Sequence, residues 1–387
     1  MAPLDDTITR LEAYCREREW AGFDPYDALN SSLFANTPFA RSRIARLALT
    51  QLLKRSPVNL RPLLRIEPHQ NPKALGLFLS YYARRARGGG EMDGRHARTV
   101  AHRLLELRSP GVLHWCWGYS FPWQMRTRLV PVYAPNLVCT TFAADGLLDA
   151  YEAGLGSEYL GPAAGAGEYL ARELYWEDGG RAAFAYPLPD ITVPSHNANV
   201  LGAALLCRLA RFAGDSRFVE QALRAARYSV SRQRDDGSWA YGDGATQQWV
   251  DNFHTGFNLC ALRSTAASLA TDEFDTSLRK GYNFYRRHFF TSGGEARYFH
   301  DRTYPIDIHS VAQSLITLHA FRDRDAGARR LADSVLTWAM THMWDPRGFF
   351  YYRVLRGLTI RTPYMRWSQA WMLVGLRTMT LRADSGL

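Results

Sequence analysis

Five segments of this chain line up when laid over one another, and that repeat limits the folds open to it. They are CTTFAADGLLDAY from Cys139, HNANVLGAALLCRL from His196, HTGFNLCALRSTA from His254, HSVAQSLITLHAF from His309 and WSQAWMLVGLRTM from Trp367. Successive starts are separated by 57, 58, 55 and 58 residues. A recurring unit of this kind cannot bury its apolar face alone and has to stack on its neighbours. Each segment is small and apolar on nearly every side, so each predicts a helix buried all round.

Between these segments lie more charged stretches, at roughly 160–174, 216–233, 273–289 and 326–342, whose apolar residues recur at helical spacing. Phe218, Leu223, Ala226 and Val230 share a face that Arg217, Glu220, Arg224 and Arg227 mostly avoid. These stretches read as outer helices. The alternation extends backward to an inner candidate at 73–86 and outer candidates at 41–55 and 96–107. Six inner and about six outer helices predict an all-α chain, one (α/α)6 toroid over 1–387, with residues 1–40 as a helical extension closing or covering the ring. After each outer helix comes a segment rich in Gly and aromatics: LHWCWGYSFPW, WEDGGRAAFAY, RDDGSWAYG, SGGEARYF and DPRGFFYY. These predict short β-hairpin loops, all at one mouth, where the inner helices begin.

The 387 residues carry 47 basic and 37 acidic side chains, and Lys occurs only at Lys54, Lys73 and Lys280. Scattered Arg reflects genomic composition or an anion-facing surface, since guanidinium forks match carboxylates and phosphates. No RNP, zinc-finger or helix-turn-helix pattern gathers the Arg into a nucleic-acid site, so no nucleic-acid partner is expected. Cys15, Cys116, Cys139, Cys207 and Cys260 are odd in number and far apart, which suits reduced core thiols in the cytoplasm. The amino terminus lacks the pattern of a secretory signal, and no run of 18 apolar residues marks a membrane span. P-loop, GxGxxG, CxxC and HExxH motifs are absent, and no cofactor is expected. A metal held jointly by His196, Asp251 and His309 is geometrically conceivable, although nothing argues for it specifically.

Three aligned segments begin with histidine, at His196, His254 and His309, and just before or after these three starts come Asn197, Asp251, Asn252 and Asp307. Histidines in register on a closed ring converge on one cavity, where they can exchange protons with a bound sugar. Asp251 and Asp307 fit either a glycosidase carboxylate pair or helix N-caps. Helix starts and the neighbouring Arg361 and Arg366 favour an anionic ligand group. Arg366 reads either as a substrate contact or as the partner of Asp251 or Asp307 in a salt bridge. Tyr364 reads as a second acid or base, or as a wall. Aromatics crowd the mouth loops, with Trp123 and Trp249 the first choices as platforms for a sugar face.

The repeat, the mouth loops and the ending RWSQAWMLVGL resemble the six-hairpin glycosidase superfamily, which includes unsaturated glucuronyl hydrolases and N-acylglucosamine 2-epimerases. The likeness covers roughly residues 70–382. Gln369-Ala370-Trp371 is similar to the RGQAW run of the hydrolases, although Arg366 lies one residue further from the Gln and TIRTPYM lacks their catalytic Asp. The 2-epimerases place histidines at inner-helix starts as acid and base, which looks like His254 and His309. Uronate epimerases and toroid lyases are similar in chemistry; by that likeness Asn197, Asn252, His254, Tyr364 and Arg366 furnish a proton-abstracting set. QRDDGSW at 233–239 resembles the QW repeat of triterpene cyclases, but it occurs once and no DxDD motif accompanies it.

The reading that follows is a carbohydrate-active enzyme handling an acidic or amino-sugar glycan in exopolysaccharide production or processing. Its catalytic set is His254, His309, Asp251 and Asp307. His196, Asn197, Asn252, Trp123, Trp249, Tyr364, Arg366 and Trp367 bind the poly- or oligosaccharide. Epimerisation, elimination and hydrolysis stay open, the last through the Asp pair. The other class is a non-catalytic glycan-binding or assembly protein.

Overall fold

In the computed structural model, which describes residues 4–213 and 216–381, the chain begins with α1 (Leu4–Arg16), the single turn α2 (Ser32–Ala35) and α3 (Arg43–Arg55). Five helical hairpins follow: α4 (Pro72–Ala86) with α5 (Glu91–Glu106), α6 (Leu137–Glu152) with α7 (Leu160–Tyr169), α8 (His196–Ala213) with α9 (Val219–Ser231), α10 (Asn252–Leu269) with α11 (Asp275–His288), and α12 (Ile308–Ala320) with α13 (Ala328–His342). The first member of each pair is the buried one. A π-helical turn, Met365–Ala370, leads into the sixth inner helix, α14 (Trp371–Thr380). Each inner helix packs on the next and α14 returns to α4, so the six close into a ring.

Repeated local contacts fix the outer layer. Gly237, Gly294 and Gly348 follow successive outer helices, with φ of 92°, 92° and 96°. A Cβ on them would meet the carbonyl oxygen of Lys280 at 2.3 Å, Ser334 at 2.6 Å and Arg10 at 2.9 Å. Only glycine tolerates both that backbone and that approach. Lys280 lies on α11, Ser334 on α13 and Arg10 on α1, so α1 stands where the repeat requires the sixth outer helix.

The outer candidate at 41–55 is helical but does not belong to the outer layer. Leu49 and Leu53 of α3 pack with Phe23, Ala28, Leu60, Leu64 and Ile66 in a small core of their own. This module, residues 17–71, lies across the mouth rather than the back of the ring. Tyr26 rests on Trp367 at 5.6 Å between ring centroids, Asn30 Nδ2 donates to Ser120 O at 3.2 Å, and Arg46 Nε donates to Gln124 Oε1 at 2.7 Å. The buried Arg366 guanidinium donates to both carboxylate oxygens of Asp24, at 2.6 and 2.8 Å. Arg61, fully buried, binds Asp27 at 2.7 Å and holds the cover together.

The mouth loops carry the short strands: β1 (Trp123–Gln124) with β2 (Leu129–Val130), β3 (Tyr175–Asp178) with β4 (Arg181–Phe184), and β6 (Trp344–Asp345) with β7 (Phe349–Phe350). Strand β5 (Ile306–Asp307) joins β8 (Arg353–Leu355) and β9 (Leu358–Ile360) in a three-stranded sheet. The loops at 232–249 and 290–300 form isolated bridges instead of hairpins.

Inner helices α4 and α6 approach most closely at two glycines. A Cβ on Gly76 would meet Phe142 O at 2.3 Å, and one on Gly146 would meet Gly76 O at 2.5 Å. Backbone on both sides cannot give way as a flexible side chain would. Gly76→Ala is expected to cost about 2 kcal/mol or more by overpacking, read as a lower thermal midpoint; an unchanged midpoint would show that the ring can widen at this seam.

Candidate functional site

Inner helices begin at the mouth with side-chain caps. Asn71 accepts from Lys73 N, Asn136 from Cys139 N, Asp251 from His254 N and Asp307 from His309 N, at 2.9–3.1 Å. These caps satisfy orphan backbone donors and also set the direction of the next side chains. Both aspartates weighed in the sequence are therefore N-caps.

Asp251 does more than cap. Its Oδ2 accepts from His254 Nδ1 at 2.7 Å and from Trp249 Nε1 at 2.9 Å. An ionised carboxylate only accepts, so the proton sits on Nδ1 and His254 Nε2 is left as the basic nitrogen. The imidazole reaches solvent at one edge: its side chain is 21% exposed, against 1% for Asp251. Trp249, 38% exposed, stacks on Tyr241 at 4.6 Å, and Tyr241 stands edge-on to His254 at 4.7 Å. An aromatic face thus leads from the rim to the histidine.

His309 lies deeper. Its ring is sandwiched between Phe253 and Trp371, each at 4.6 Å, with Trp367 edge-on at 4.7 Å. Neither ring nitrogen has a hydrogen-bond partner among the described residues. Burial first, then the charges of Lys73 and Arg366, push its pKa well below the ordinary histidine value, so the ring is held neutral. Phe253 lies 4.1 Å from His254 as well, and this one ring separates the two histidines.

Asp307 is committed elsewhere. It is fully buried, accepts from Trp367 Nε1 at 2.8 Å and from Arg353 Nε at 2.9 Å, and caps α12. Arg366 pairs with Asp24, not with Asp251 or Asp307. His196 turns away from the centre: its Nε2 lies 3.3 Å from Asp243, which also binds Tyr228 and Arg232 beside α9. The conceivable metal set of His196, Asp251 and His309 is accordingly not assembled. Asn252 is buried and bonds to Tyr285 and Ser314, an interhelical brace. Asn197 is buried with its Oδ1 unpartnered among the described residues. Trp123 lies half-buried on β1 beside the cover. Tyr364 is buried with its ring facing Arg61 at 4.8 Å, and burial raises its pKa.

Comparison with known proteins follows from this architecture. No protein-family model and no curated protein sequence matches the chain. Solved structures do. A cellobiose 2-epimerase from Bacillus thermoamylovorans B4167 superposes with a TM-score of 0.63 at 11% identity, covering 81% of this chain and 90% of its own. A GH76 alpha-mannanase from Bacteroides thetaiotaomicron gives 0.63 at 12% identity, covering 90% and 98%. An unsaturated glucuronyl hydrolase specific for heparin gives 0.59 at 11% identity, covering 81% and 87%. The chain has the six-hairpin (α/α)6 toroid fold. At such low identity the likeness is one of fold, and the chemistry of this toroid has to come from its own residues.

One central residue escaped the sequence reading. Lys73, at the start of α4, is 3% exposed, and its Nζ lies 4.5 Å from the Phe142 ring centroid, 5.3 Å from Trp371 and 5.5 Å from Phe257. Trp371 and Phe257 also flank His309. Lys73, His309, His254 and Arg366 therefore form a cationic and basic cluster walled by aromatics. The available signal was one of only three lysines in an Arg-rich chain, at the start of an inner helix; register with the histidines was hidden because the α4 segment lacks the repeat's sequence.

Burial, with Arg366 as the next cause, lowers the Lys73 pKa to about 7. An unfolded lysine titrates near about 10.4, so folding disfavours its charged form. That penalty is nearly absent above pH about 10.4, grows as pH falls and is complete below about 7. Lys73→Met removes it, and the variant toroid is expected to be more stable than the parent by about 2 kcal/mol or more at pH 7. The difference should shrink toward pH 10 in thermal melts; a pH-independent difference would mean that Lys73 is not held in this state.

Proposed function

We propose that the toroid is a glycan-processing enzyme that moves protons on an acidic or amino sugar. The observation that carries this reading is the pairing of an Asp251-oriented His254 with a neutral, unpartnered His309 across the ring of Phe253. A histidine on each side of one aromatic ring can serve opposite ends of a proton transfer, one removing and the other delivering. Trp249 and Tyr241 offer a platform for the sugar face at the entrance. Lys73, when protonated, brings positive charge to bear on a carboxylate or on the enolate-like charge that develops when a carbon beside it loses a proton, whereas Arg366 is neutralised by Asp24. Asp251 is a positioning residue here, holding the tautomer of His254.

This arrangement favours epimerisation or elimination over the Asp-pair hydrolase, because Asp307 is shielded and salt-bridged to Arg353. The structural neighbours named above, two of them a 2-epimerase and a glucuronyl hydrolase by description, are compatible with a glycan substrate. Five unpaired cysteines, four of them buried, support a cytoplasmic setting. A role in exopolysaccharide production or processing belongs to the same proposal.

The test is product analysis with uronate-containing oligosaccharides in deuterated water. Deuterium at a ring carbon without cleavage marks epimerisation, and an unsaturated uronate chromophore marks elimination. His254→Ala and His309→Ala are each expected to lower turnover by about 10²-fold or more, with the helical circular dichroism retained. Asp251→Asn should lower turnover while leaving KM close to the parent's. New reducing ends that persist in both histidine variants would replace this reading with the carboxylate-pair hydrolase; binding without any product would favour a glycan-binding or assembly protein.

A further inference from the structure

Apolar exposure on this toroid is confined almost wholly to one end. Among the described residues, every large hydrophobic side chain with high exposure except Met92 lies in a segment joining an outer helix to the next inner one, hence at the mouth. The densest group is on the cover: Phe39 is 65% exposed, Ile44 72%, Leu52 58%, Val58 63% and Leu63 75%. Ile44, Ala48 and Leu52 recur at four-residue spacing along α3, on the side opposite Leu49 and Leu53, which pack inward. An exposed apolar stripe on a helix whose other face is already packed marks an interaction site.

Charge on the same module is one-sided. Residues 28–66 contain no Asp or Glu, but carry Arg41, Arg43, Arg46, Lys54, Arg55, Arg61 and Arg65. Arg61 is buried against Asp27 and Lys54 Nζ donates to Tyr26, both turned inward. Arg41, Arg43, Arg55 and Arg65 are exposed, and none of them forms an ion pair among the described residues. The neighbouring β1–β2 hairpin extends the surface with exposed Arg126 and Leu129, and Arg43 reaches the Arg126 carbonyl.

From this surface we infer that the toroid docks mouth-first on an anionic lipid bilayer, with the apolar side chains of the cover entering the interface and the four exposed arginines meeting headgroup phosphates. Large apolar side chains interleaved with cations suit a headgroup-acyl boundary, whereas a nucleic-acid backbone would leave Phe39, Ile44 and Leu63 without an apolar environment. No helix among the described residues is long and apolar enough to cross a membrane, and a surface-seated protein requires none. Each exposed arginine near such a surface contributes on the order of 1 kcal/mol, reduced by salt. The inference rests on this surface alone and stands whether or not the glycan chemistry proposed above is right.

The experiment is co-sedimentation of the full chain with phosphatidylcholine vesicles made with and without phosphatidylglycerol. Binding is expected only to the anionic vesicles, weakening as salt rises. Ile44→Ser with Leu52→Ser is expected to lower vesicle affinity by about tenfold or more, and Arg41→Gln with Arg55→Gln to lower it and flatten the salt dependence. These positions are exposed, so thermal midpoints should stay near the parent's, and a collapsed midpoint would be answered by the single variant Phe39→Ser. Absence of binding to anionic vesicles, or binding that survives all these variants, overturns the inference. So does a dimer in sedimentation velocity that the Ile44/Leu52 double variant abolishes, because the stripe would then be covered by a second copy.

Discussion

Six helices with no wet face cannot be paired off; they can only be surrounded. Each inner helix here has apolar or small residues on nearly every side, and the arrangement that buries all of them at once is a ring with a second layer outside it. Closure depends on close backbone approach at Gly76 and Gly146 and on α1 supplying the outer helix that α14 lacks. Once the ring is closed, all inner-helix amino termini face one way. Caps, loops and the candidate-site side chains then collect at the same end.

The mouth so formed is electrically unusual. Lys73, Arg366, His254 and His309 gather there, while two nearby carboxylates are engaged: Asp24 binds Arg366, and Asp307 binds Arg353. Aromatic rings fill the space between, lowering the local polarity and keeping His309 neutral. The cover contributes both to closure and to charge, because its Asp24 neutralises the buried Arg366 guanidinium. A buried pair of this kind is costly to break from one side, so the cover and the ring are coupled through it.

The fold was largely legible because periodic burial leaves a periodic trace in sequence. Segments starting at Cys139, His196, His254, His309 and Trp367 share spacing and composition, and their helices fall where that spacing puts them. Residues 41–55 misled because an amphipathic helix over the mouth and one on the outer wall show the same apolar period; only the partner differs. In the site, the convergence of His254 and His309 was legible from register. His196 had equal register but turned toward Asp243, a loop residue whose position no local pattern reveals. Lys73 was missed for the converse reason: its place at the centre comes from ring closure, while its sequence neighbourhood does not match the repeat.

What the sequence alone determined is the number of layers, the repeat length and the end of the barrel at which polar and aromatic residues accumulate, since these follow from local periodicity and turn chemistry. Tertiary structure alone decided which charges meet. Asp24 and Arg366 are 342 residues apart, and Lys73 comes to share Trp371 and Phe257 with His309. Such pairings are fixed by closing a ring through contacts between distant segments, and no local rule of propensity or spacing specifies them.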